Sequence, residues 1–414
     1  MSIRGALLVA ALPGVFLSWA TPATAVPLGG DDDESGVVEA HGFISQGLIK
    51  TTGNNYLAKS KEGSFDFTEV GINFTTHPTE RLRLGVQLFA NKLGATGDFN
   101  AKADWFYLDY RWRDWFGIRA GRVKLPFGLY NDTSDIDAAR VPVLLPQSVY
   151  PINNRNYLLA QTGVELYGYV NLRAAGALDY RLYGGTISIA LPPPTPSVTP
   201  PPRQTTELRI PFVLGGRLLW DTPLQGLRLG GSLQVLRIDF AQLFAMTVAM
   251  PPTETMPEGT PAKPAAVITG IAPVVLWVAS LEYAAHDWLL AAEYSRWYLK
   301  VTDSSDPTRL SNATLPTSER AYAMTAYRVR RWFQPGVHYA FFFPDVNKRS
   351  GPGVVQHDFA GTLRFDINDH WLVKLEGHYM HGVAGVSPAL NNNLSGNALA
   401  QDWVVLFLKT TAYF

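Results

Sequence analysis

Five charged residues share one proline-stiffened stretch: Asp132, Asp135, Asp137, Arg140 and Arg155 lie within Leu125 to Ala160, which also holds Pro126, Pro142, Pro146 and Pro151. Charges held at fixed places can act without breaking bonds. They order water, disfavour apolar solutes and discriminate between ions. For covalent chemistry the sequence offers less. It has no nucleophile elbow, no His-Glu-x-x-His and no phosphate-binding glycine loop, and with no cysteine it has no thiol pair. A lipid hydrolase at a membrane wall could use His338, His378 or His381, but no serine stands at a register that ties to them. Asp31-Asp32-Asp33-Glu34 reads as a solvated tail, since a calcium site needs several oxygens arranged in space. Neither a metal centre nor a cofactor is expected.

The elements that must carry these charges follow from composition and period. The 414 residues have a formal net charge of zero, 47% hydrophobic and 17% charged side chains. No basic domain stands out, which argues against a nucleic-acid partner. The start of the chain reads as a secretory signal: Arg4, an apolar stretch from Ala6 to Ala20 interrupted by Pro13 and Gly14, then Ala23-Thr24-Ala25. That stretch is shorter than the ~20 residues of a spanning helix. The expected organisation is a signal peptide over 1–25, a short acidic segment over 26–38 and one structural unit over 39–414.

Period two runs through that unit. Leu82, Leu84, Val86 and Leu88 alternate with Arg81, Arg83, Gly85 and Gln87; Phe359, Leu363 and Phe365 alternate with Asp358, Thr362 and Arg364. Successive side chains of a strand point to opposite faces, and segments of about ten such residues are the signature of a transmembrane barrel. Sixteen segments are predicted, centred near 45, 71, 86, 107, 120, 166, 182, 216, 232, 278, 294, 325, 339, 361, 375 and 408. Short connections such as 77–80, 113–114 and 285–287 alternate with long ones such as 51–64, 125–160, 190–208, 241–270 and 382–400. Short turns on one rim and long loops on the other are the plan of an outer-membrane barrel. Trp112, Trp115, Trp220, Trp288, Trp332 and Trp371 fall beside predicted short turns, where an aromatic belt would sit. The fold class is therefore all-β: a transmembrane antiparallel barrel of about sixteen strands, wide enough to hold water.

The run Gly117-Ile118-Arg119-Ala120-Gly121-Arg122-Val123-Lys124-Leu125-Pro126-Phe127-Gly128 resembles the strand-to-loop passage of porins related to the phosphate-selective group. His41-Gly42-Phe43-Ile44-Ser45-Gln46-Gly47 is similar to their first strand. The resemblance implies a third loop, here 125–160, folding into the lumen, and assembly as a homotrimer. The sequence lacks the extended basic ladder of a phosphate-selective channel, so the solute is not carried over. Alternation nominates Arg81, Arg83, Arg111, Arg119, Arg217 and Arg364 as pore-wall cations facing the loop carboxylates across the water. Together these readings predict an outer-membrane channel, surrounded by lipid, for passive diffusion of small hydrophilic solutes or ions. Inward Arg and Lys slightly outnumber inward Asp and Glu, which predicts a weak anion preference. The rival readings are a barrel with a blocked lumen acting as adhesin or scaffold, and the lipid hydrolase.

Overall fold

The computed structural model describes residues 26–28, 37–94, 97–189, 203–244, 266–301, 303–305, 316–392, 394 and 396–414. The expected signal peptide, the acidic run Asp31 to Glu34 and the proline-rich stretches 192–202 and 251–264 lie outside these residues. Among the described residues no helix is long and apolar enough to cross a membrane. The crossing is made by strands.

Sixteen long strands follow one another around a closed antiparallel sheet. They are β1 (Val38–Thr51), β2 (Phe67–Thr79), β3 (Leu82–Leu93), β4 (Lys102–Arg113), β5 (Phe116–Lys124) and β6 (Ala160–Asn171). Then come β7 (Ala177–Ile187), β8 (Arg203–Asp221), β9 (Leu227–Phe244), β10 (Ala266–Ala285) and β11 (Trp288–Leu299). The ring is completed by β12 (Ser318–Tyr327), β13 (Phe333–Phe343), β14 (Gln356–Asn368), β15 (Trp371–Gly382) and β16 (Asp402–Tyr413). Each predicted strand centre falls in its strand. β16 pairs with β1 from Val405↔Thr51 to Tyr413↔Phe43, which closes the sheet. Closure matters because an open edge would leave backbone N–H and C=O groups unsatisfied in hydrocarbon, at several kcal/mol each. Two short pieces add to the ring: Val26–Leu28 pairs with the start of β1, and Asp303–Ser304 with β10.

Large apolar side chains cover the outer face, and charged side chains are buried inside beside apolar ones. Ile44, Leu182, Leu214, Leu233 and Leu406 are more than half exposed on the outer face. Glu165, Gln234, Lys374 and Lys409 are fully buried within. The six tryptophans named above are all exposed and sit at the short-turn rim. Their indole donors find partners there: Trp371 Nε1 donates to Thr410 Oγ1 at 2.7 Å, and Trp220 Nε1 to the Ala175 carbonyl at 2.8 Å.

Turn chemistry explains the short rim. His286 and Asp287 both adopt left-handed backbone, φ 54° and 64°, between the paired Ala285 and Trp288. Two such residues form the tight hairpin whose twist matches the strands. At the other rim β8, β9 and β10 run to 19, 18 and 20 residues. They keep pairing with one another as far as Phe244, so the loops predicted at 190–208 and 241–270 are shorter than the sequence suggested.

Candidate functional site: the third loop and the inner wall

The third loop leaves β5 at Lys124 and rejoins the sheet at Ala160, its ends tied by Leu125 N–H to the Leu159 carbonyl at 3.0 Å. Pro126-Phe127-Gly128 aims it inward. Gly128 takes φ 64°, and a Cβ there would lie 2.5 Å from the Tyr150 hydroxyl and 2.8 Å from Glu293. Only glycine fits that turn. Its N–H donates to Ser232 Oγ on β9 at 3.0 Å.

From that turn the loop runs against nearly the whole inner wall. Glu293 on β11 accepts the Leu129 N–H at 2.9 Å, the Tyr322 hydroxyl at 2.8 Å and the Tyr150 hydroxyl. Tyr130 donates to Glu282 on β10 at 2.9 Å. Glu376 on β15 accepts the Val143 and Leu144 N–H groups at 2.7 and 3.0 Å. Arg320 on β12 donates to the Ser148 carbonyl at 2.9 Å. Burial, with Glu282 beside Tyr130 and Glu293 beside Tyr150, holds both phenols well above their ordinary range, so they remain donors.

The three loop carboxylates meet wall cations in contact. Asp132 lies 2.6 Å from Arg181 on β7 and 3.5 Å from Arg217 on β8. Asp135 is 2.5 Å from Lys124, 3.8 Å from Arg155, and accepts from Gln87 on β3 at 3.2 Å. Asp137 is 3.1 Å from Lys374, 3.3 Å from Lys409 and 3.5 Å from Arg140. Burial pushes all three carboxyls upward. Arg217 and Arg181, then Lys124 and Arg155, then Lys374 and Lys409 more than offset it, and each carboxyl ends below its ordinary value.

The nominated wall residues divide. Arg217 reaches Asp132 and Asp179, and Arg364 on β14 donates to the Ala138 and Arg140 carbonyls of the loop at 2.8 and 3.0 Å. Arg119 on β5 instead bridges Asp109 and Glu165 within the wall, at 2.9 and 3.0 Å. Arg83 and Arg111 are half-buried on inward faces away from the loop carboxylates, Arg83 lying 5.8 Å from the Tyr107 ring centre. Arg81 is not a wall residue. It sits exposed in the turn after β2, beyond the last paired position. Of the loop basic residues, Arg155 reaches back to Asp104 at 3.1 Å and lies over the Phe89 ring, while Arg140 also donates to the Ser134 carbonyl.

Two expectations need correction. Loop carboxylates do not face arginines across water; they are paired directly, because a carboxylate out of water is tolerated only when paired. Nor do inward cations outnumber inward carboxylates. Twelve Asp or Glu and six Arg or Lys are buried, and with the half-buried Arg83, Arg111, Arg119, Lys124, Arg140, Arg155 and Arg228 beside Asp132, Asp221 and Asp366 the two signs come close to balance. Arg181, Lys374, Lys409, Glu293 and Glu376 were not nominated, although alternation places each on an inward face. The missing signal was depth: nothing local says which inward charge lies at the height of the loop.

A closed sixteen-strand barrel with an apolar exterior, charged and polar groups on its inner wall, and an inward third loop whose Leu125, Phe127, Leu145 and Val149 share a buried apolar cluster with wall residues such as Val213 and Leu236 has the fold of outer-membrane β-barrels. No protein-family model and no curated protein matches the sequence. Among solved structures the chain is similar to outer-membrane expressed OmpT of Vibrio cholerae, with TM-score 0.56 and 10% identity over 94% of this chain and 100% of that one. It is similar to Salmonella typhi OmpF (TM-score 0.52, 12% identity, 94% and 100% covered). It is also similar to the anion-selective porin from Comamonas acidovorans (TM-score 0.52, 9% identity, 92% and 100% covered). At these identities the likeness is one of fold.

Proposed function

We propose that the chain is an outer-membrane channel for passive diffusion of small hydrophilic solutes or ions, narrowed by its third loop. The observation that carries this reading is the attachment of Asp132, Asp135 and Asp137 to cations on opposite sides of a polar-lined barrel. Such a wall offers hydrogen-bond partners to water and hydrated solutes, while the docked loop limits the cross-section. Near-equal numbers of paired charges support weak ion selectivity in place of the anion preference expected earlier. Within the stretch resembling phosphate-selective porins, Arg119 and Lys124 are both engaged by carboxylates. This favours a general pore over a phosphate-selective one. A homotrimer belongs to the same reading and is measured by cross-linking in detergent.

A second reading draws on the reach of the loop, which bonds β3, β5, β7 to β12 and β14 to β16. A lumen so filled suits a scaffold or adhesin. The hydrolase reading has less support: His338 and His378 are buried inward, and His381 pairs with Asp402 at 2.7 Å. Single-channel recording of the refolded protein decides between them. Stepwise conductance that rises when residues 130–150 are deleted fits the narrowed channel. A silent wild type that conducts only after the deletion fits the closed barrel, and equal conductance in both would reject a role for the loop.

A further inference from the structure

We propose that His338, Asp358 and His378 form a binding site for one divalent first-row transition-metal ion, with zinc as the probe. The three stand on β13, β14 and β15, all buried on the inner face, and one potential ligand atom from each lies within 4.8 Å of the others. Register brings them together: His338 and His378 both face Ala360, and Asp358 is two residues along the same face of β14. Two imidazoles and one carboxylate suit zinc, cobalt or nickel, whereas calcium and magnesium prefer an all-oxygen shell.

The hydrogen-bond pattern has a gap that an ion would fill. Nε2 of His338 is buried and has no hydrogen-bond partner, at 3.7 Å from Asp358 Oδ2. That separation is too long for a hydrogen bond. An orienting carboxylate is already in place. His378 Nε2 lies 3.0 Å from Glu376 Oε1, which leaves Nδ1, 2.8 Å from Asp358 Oδ1, as the ligand atom. A carboxylate behind a ligating imidazole fixes its tautomer and orientation. Glu376 is held in turn by Thr362 at 2.5 Å and by the loop amides of Val143 and Leu144. Binding would release the proton shared between His378 and Asp358 and turn that contact into two metal bonds. Ligation at ~2.0–2.2 Å requires the donors to draw together, and His338 breaks no hydrogen bond in doing so. A cavity of about 180 Å³, lined by Asp358, Gln356, Arg320, Ser148 and Tyr56, leaves room for a water as the remaining ligand.

The test uses the full chain refolded in detergent, stripped of metal and titrated with Zn²⁺ by calorimetry. One ion per chain is expected. His338→Gln and Asp358→Asn should each weaken binding by about tenfold or more. His381→Gln, on the outward face beside Asp402, should leave it unchanged. Co²⁺ added to the wild type should give the visible absorption of a four- or five-coordinate nitrogen–oxygen site, a readout independent of how the variants fold. Absence of stoichiometric binding to the wild type overturns the proposal. So does binding lost in His381→Gln but retained in His338→Gln.

Discussion

Lys374 and Lys409 stand directly opposite one another on β15 and β16, both fully buried, and both reach the same carboxylate, Asp137. Like charges facing across a sheet repel, so the pair is tolerable only because the third loop delivers an anion between them. Lys409 also has Glu69 at 2.5 Å, and Lys374 has the carbonyls of Asp137, Arg140 and Pro142.

Asp137→Asn keeps the shape and removes the charge. Losing one partner of a buried ionic cluster costs roughly 3–5 kcal/mol, and here the loss falls on the contact that docks the loop. The expected outcome is a less heat-stable barrel and larger, noisier conductance steps. Thermal unfolding followed by gel mobility, alongside bilayer recording, measures both; unchanged values in each would show that the loop is held elsewhere.

The pH dependence follows from the same carboxyls. Asp132, Asp135 and Asp137 titrate below their ordinary value in the folded chain, so they bind fewer protons than in the unfolded one. Their contribution is complete above the unfolded value of ~3.9 and is lost as pH falls through the depressed folded values. The share of stability that these three carboxyls supply should therefore hold steady from about pH 7 to about pH 5 and fall only in stronger acid. The stability difference between the wild type and Asp137→Asn, followed from about pH 7 down to about pH 3, checks it, and a difference that vanished between about pH 7 and about pH 5 would contradict the assignment.

Leu214, at the middle of β8, is 57% exposed on the outer face. In a soluble protein an exposed Leu→Arg change is close to neutral. In lipid, arginine at the midplane costs ~2–4 kcal/mol. Leu214→Arg should destabilise the protein by that amount in vesicles, measured by urea unfolding, whereas no loss would mean that face does not meet hydrocarbon.

Because inner-wall carboxylates and cations meet in contact pairs, the net field along a solute's path is small. A salt gradient across a bilayer should give a reversal potential close to zero. A strong preference for either ion would require unpaired charge at the narrowest point.

Strand count, strand position, the outward leucines and the tryptophan belt were all readable from the chain, since alternation and turn residues are local properties that each strand carries alone. Arg217 and Arg364 could be placed on the inner wall for the same reason, whereas Arg81 was misplaced because β3 begins at Leu82, one residue after the alternating pattern does. Partnership was not readable. Asp137 and Lys374 are 237 residues apart in sequence. They meet because the sheet closes on itself and a 35-residue connection between Lys124 and Ala160 folds through its centre. Which charge neutralises which depends on the height each strand reaches and the path that connection takes, and packing across the lumen alone sets both.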